Sequence, residues 1–116
     1  MQPSLYAREL DLVLKTSQDA LDAMASAPGG CIFELTDLHD DFFNLKNGLA
    51  GEIFQKFTNY GFYAAFVLPN PEHFGERVVE LCRDHERHSH IRMFTDPLTA
   101  QTWLNQVLHL DQQQQQ

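Results

Sequence analysis

The chain is poor in cysteine, in positive charge and in long apolar runs, and each shortage closes off a class of protein. Only Cys31 and Cys82 are present among 116 residues, far apart and outside any Cys-x-x-Cys spacing. That argues against a disulfide framework or a paired-cysteine zinc ribbon, and fits two reduced, largely buried thiols in a cytoplasmic protein. Eight Lys and Arg stand against sixteen Asp and Glu, a formal charge of −8. Phosphate contacts need the opposite balance, so neither nucleic acid nor an anionic membrane is expected as a partner. No apolar stretch approaches the roughly 20 residues of a spanning helix. Residues Met1-Gln2-Pro3-Ser4-Leu5 lack the basic and apolar regions of a signal peptide. Also missing are Gly-x-Ser-x-Gly, the P-loop, Gly-x-Gly-x-x-Gly and His-Glu-x-x-His. No catalytic residue and no cofactor is therefore assigned.

What is present reads as one globular domain over residues 1–110, with 43% hydrophobic and 21% charged residues. From Leu10 to Leu14 leucine recurs at every second position, the pattern of a strand. Thr16 or Ser17 can cap a following helix, with Asp19 placed for a capping box and Leu21, Met24 and Ala25 as its apolar stripe. Pro28-Gly29-Gly30 ends that helix, and Cys31 to Leu35 reads as a second strand. An acidic loop, Thr36 to Asp41, leads to Phe42-Phe43 and a helix capped at Asn47. In that helix Leu49, Ile53, Phe57 and Tyr60 recur at helical spacing, and Gly61 stops it. Phe62 to Leu68 is apolar without alternation, as in a strand covered on both faces. A third helix is expected from about His73 to Arg87, a short strand at Ile91 to Phe94, and a last helix opened by Thr95-Asp96-Pro97. Asp111 to Gln116 is a glutamine-rich tail too polar to bury, expected to be disordered. The order predicts an α/β sandwich with about four strands, mostly parallel, and helices on both faces.

One segment suggests a site. The helix after Phe42-Phe43 carries Gly48 and Gly51 at its start, each costing about 0.8–1 kcal/mol relative to Ala inside a helix. Glycine there serves either a contact surface with accessible amides or close packing of helix on sheet. Gly51 is read as the better packing glycine and Gly48 as the better site glycine. Adjacent Phe42 and Phe43 cannot both point inward from regular backbone, so one of them is a candidate interface anchor. The docking set is Phe42, Phe43, Lys46, Asn47, Gly48 and Glu52. A competing site is Glu34, His39, Asp40 and Asp41, at the carboxyl end of a strand where α/β proteins bind ligands. Cys82, His85, His88 and His90, with Glu86, resemble a metal set, but Cys82 and His85 also complete the apolar stripe of their helix. Burial explains them, and no metal is assigned.

The run from Phe42 to Phe57, with Asn59 and Tyr60, resembles the signature of an uncharacterised bacterial domain family of unknown function. The matching residues are Phe42, Phe43, Leu45, Gly48, Leu49, Ala50, Gly51, Glu52, Ile53, Gln55, Lys56 and Phe57. A looser resemblance extends from about Leu10 to Leu104. More distantly, the arrangement is similar to the STAS fold of anti-sigma-factor antagonists. There a Ser or Thr precedes Gly-Leu and a helix, and its phosphorylation switches partner binding. Here Asn47 stands at that place, so the resemblance implies a docking surface and does not carry the phosphoswitch over.

The expectation is thus a non-enzymatic regulatory or interaction module, docking a protein partner through residues 42–56. The alternative is a small-ligand or metal-binding domain, or a weak enzyme, using the loop at 34–41. A homodimer through an edge strand is compatible with both.

Overall fold

Two short, nearly fully buried runs and a half-buried edge run make the sheet. The computed structural model describes residues 6–27, 29–44 and 48–114, with side chains for all of these except residue 41 and residues 110–114. Strands β1 (Gly30–Glu34), β2 (Tyr63–Val67) and β3 (Ile91–Phe94) lie in the order β1-β2-β3, all parallel. Gly30 sits opposite Tyr63, and Ala64 opposite Ile91. Helix α1 (Ser17–Ser26) precedes β1, α2 (Leu49–Asn59) joins β1 to β2, α3 (Glu76–Asp84) joins β2 to β3, and α4 (Pro97–Gln114) follows β3.

Successive side chains of a strand point to opposite faces. Ile32, Ala65 and Val67 therefore meet Ala100, Trp103 and Leu104 of α4. Cys31, Phe33, Ala64 and Phe66 turn the other way, to Ala20 and Ala23 of α1, Ile53 and Phe57 of α2 and Val78 of α3. Phe33 is the centre of that second layer, stacked 5.7 Å from Phe57 and 5.2 Å from Phe66.

The local signals mostly act as expected. Asp19 accepts hydrogen bonds from the Thr16 and Lys15 amides at 2.8 and 2.9 Å, which opens α1. Asp96 accepts from the Thr99 amide at 2.9 Å and hydroxyl at 2.7 Å, which opens α4 at Pro97.

Three expectations change. Residues 10–14 are not a strand, so the described sheet has three strands, not four. Ala7–Leu10 is a 3-10 turn, and Asp11 at φ 54° breaks the extended run. The alternation is still real, since Leu14 is buried and Val13 exposed. The Leu14 backbone, however, pairs with the loop after β1: its amide donates to Asp37 O and its carbonyl accepts from His39 N. The third helix is shorter than expected. Pro71–Phe74 is a separate 3-10 turn, Gly75 intervenes at φ 99°, and His73 lies outside α3. Finally, α4 runs to Gln114, so residues 111–114 of the expected disordered tail are helical backbone, while 115–116 lie outside the described residues. No helix among the described residues is long and apolar enough to cross a membrane.

Candidate functional site

The two segments singled out in the sequence follow one another at the carboxyl end of β1. There the chain makes two 3-10 turns, Leu35–Asp37 and Asp40–Phe43, before α2 begins. The first turn closes on its own carboxylates. Asp37 Oδ2 accepts the Glu34 amide at 2.8 Å, while the Glu34 carboxylate pairs with the Arg8 guanidinium. Asp37 is buried, and burial first, then the Glu34 charge, pushes its pKa up from 3.8 against the opposing pull of the Glu34 amide and Arg8. The sequence placed Asp37 only among the carboxylates of the acidic loop, not as the buried cap of a turn. The signal was there in retrospect, because an Asp three residues after a strand-ending Glu can cap the turn between them. His39 is half-buried and Asp40 exposed; of Asp41 only the backbone, inside the second turn, is described. Among the described residues no three His, Cys, Asp or Glu side chains are placed to hold a metal ion.

The docking set divides. Phe42 is 2% exposed and packs on Phe54 and Phe66 at 5.8 and 5.5 Å. It belongs to the core and is not an interface anchor. Phe43 is half-buried, edge-on to Phe42 and stacked on Phe74 at 4.1 Å. The irregular backbone of the 3-10 turn lets the two adjacent rings take different environments. Lys46 and Asn47 lie outside the described residues. The cap position of α2 is Gly48, at φ 76°, with its carbonyl accepting the Glu52 amide at 3.0 Å.

The packing role expected of Gly51 is not found, and Gly48 has a backbone reason of its own. Gly48 has a conformational reason to be glycine, since a left-handed φ is costly for residues with a Cβ. Gly51 has neither reason. It sits in ordinary helix, and a Cβ built on it meets nothing within 4 Å. It is not a packing glycine. It lies on the exposed side of α2, in an open cleft of about 540 Å³ lined by Ser17, Glu52, Gln55, Lys56 and Asn59. Ser17 brings the start of α1 to the cleft wall, and Gln55 donates to Asn59 at 2.8 Å along its length.

A family model described as a domain of unknown function (DUF4180) matches residues 3–104. The chain belongs to this family. The match spans α1, all three strands and the first half of α4, so the DUF4180 domain here takes in the whole described sheet and both of its faces. No curated protein and no solved structure matches the chain. The description of DUF4180 assigns no reaction and no ligand, which leaves function to the geometry.

Both cysteines are free thiols whose surroundings disfavour the thiolate. Burial pushes Cys31 up to about 12, and burial with the Glu72 charge raises Cys82 as well. His85 is half-buried, with its Nδ1 2.8 Å from Leu81 O and its ring against Phe54 at 5.1 Å, in keeping with a structural role.

Proposed function

We propose that this DUF4180 member is a non-enzymatic, cytoplasmic interaction module of regulatory type. Its docking surface is the outer face of α2 with the turn before it. The reading rests on one observation, the open space over Gly51. A helical glycine costs about 0.5–1 kcal/mol relative to Ala. At Gly51 neither a left-handed φ nor a close neighbour in this chain requires it. Close approach of another chain supplies the missing reason, and the Gly51 cleft presents mixed polar groups, Glu52, Gln55, Lys56 and Asn59, to a protein segment. The arrangement is the one a STAS-like domain would use, with Gly48-Leu49 opening the docking helix and no hydroxyl at Asn47 to phosphorylate. A bacterial source belongs to the same reading. Self-association through the outer edge of β3, which pairs only with β2 among the described residues, is compatible with it.

The alternative ligand site at 34–41 has less support. Glu34 and Asp37 spend their carboxylates on Arg8 and on the turn itself.

A photo-crosslinking residue at Gln55, compared with one at the exposed Glu80 of α3, tests the surface. The Gln55 probe is expected to capture one protein that the Glu80 probe does not. Gly51→Trp is expected to abolish that capture with a melting temperature no lower than wild type. Equal capture at both positions, or capture untouched by Gly51→Trp, removes the proposal.

A further inference from the structure

The connection from α3 to β3 is held by a histidine ring used as an acceptor. His88 Nδ1 accepts the backbone amides of His90 at 3.1 Å and Ile91 at 3.0 Å. An imidazole nitrogen accepts only while it carries no proton, so the neutral ring must hold its proton on Nε2. The same stretch sets the edge strand in place. His90 O accepts the Ala64 amide at 2.8 Å, the first rung between β2 and β3, and Ile91 is fully buried. Arg92 Nε donates to His88 O at 2.9 Å, so the loop is pinned from the strand side too.

The surroundings disfavour a proton on this ring. The ionisable groups acting on it are His85 at the end of α3, His90 in the connection and Arg92 in β3. Each of them opposes a positive charge on the His88 ring. His85 is closest in kind, its ring 5.2 Å from that of His88. The other packed elements contribute aromatic rings: Phe54 of α2 against His85, and Tyr63 of β2 stacked 4.7 Å from His90.

We propose that the α3–β3 connection is an acid-sensitive latch: the neutral ring of His88 holds the first residues of the edge strand in register, and protonation releases them. A proton on Nδ1 turns the acceptor into a donor facing two donors. The buried Ile91 amide then loses its partner, and a buried donor left unpaired is costly. Because β3 is a sheet edge, its start can open without parting β1 from β2.

Burial, then His85, His90 and Arg92, lower the pKa of His88 from 6.5. A depressed folded value means that the latch is fully present above the unfolded value and is lost as pH falls through the folded one. The test is an NMR titration of the His88 ring and the His90 and Ile91 amides, from about pH 8 to about pH 5. It is run on the wild-type chain and on His88→Asn, whose side-chain oxygen can accept both amides without titrating. In the wild type the ring is expected to titrate below 6.5. Both amides should follow its midpoint, with Ile91 losing about tenfold in exchange protection. In His88→Asn that midpoint should vanish from both amides. Wild-type amides that ignore the ring's midpoint overturn the latch, as does a variant that keeps it. Should His88→Asn not fold, the wild-type coupling decides alone.

Discussion

Replacing Gly51 by alanine distinguishes a glycine kept for the fold from one kept for a partner. The added methyl meets nothing within 4 Å, and the backbone there is ordinary helix. No steric cost therefore offsets the gain in helix propensity, about 0.5–1 kcal/mol. For a domain near 100 residues that corresponds to a melting temperature higher by about 2–5 °C. Gly48→Ala is the matched control. Its methyl also meets nothing within 4 Å, but φ is 76°. An L residue held there costs about 1–2 kcal/mol, so this variant is expected to melt lower. Thermal and urea unfolding of the two variants against wild type reads the contrast directly. A Gly51→Ala protein that is no more stable than wild type refutes the claim that the fold has no use for this glycine. The proposed docking surface would lose its support with it.

Phe42→Ala is expected to cost about 3–5 kcal/mol, as for a fully buried ring, whereas Phe43→Ala removes only a half-buried stack on Phe74 and should cost markedly less; urea midpoints rank them, and equal losses would contradict the division of the pair. Gly30→Ala should destabilise by about 1–3 kcal/mol, because its methyl would lie 2.7 Å from Leu104 Cδ1 and 2.9 Å from Tyr63 O; a neutral variant would show that α4 can shift away from the sheet. Asp37→Asn keeps an acceptor for the Glu34 amide and removes a buried charge. Since the pKa of Asp37 is raised from 3.8, stability tied to it is present below that value and is lost as pH rises through the folded one. The variant should therefore melt no lower than wild type at pH 7 and show a flatter stability profile above about pH 4; a large loss at neutral pH would mean that the charge is needed.

The openings of α1 and α4 and the buried strands were legible because their causes are local. Asp19 and Asp96 cap within three residues, and a run such as Phe62 to Leu68 is apolar on both faces wherever it packs. The stretch at 10–14 misled because period-two burial does not specify a backbone partner. Leu14 is buried beside the loop at 37–39 instead of in the sheet, with Asp11 turning the chain before it. The proposed docking segment stood out in the sequence through its glycines, while the packing expected of its residues changed. Phe42 entered the core, Gly51 proved not to be a packing glycine, and Gly48 proved to carry a left-handed φ.

By itself the sequence determined the α/β class, three of the four expected strands and the starts of α1 and α4. These follow from hydrophobic period, capping residues and run length, which act over a few residues. Only the tertiary structure decided that Asp37 is buried beside Glu34, that Gly51 faces an open cleft between α1 and α2, and that His88 holds the entry to β3. Each of those depends on which surface another element covers or leaves bare. That is settled by packing between residues distant in the chain, where neither propensity nor period reaches.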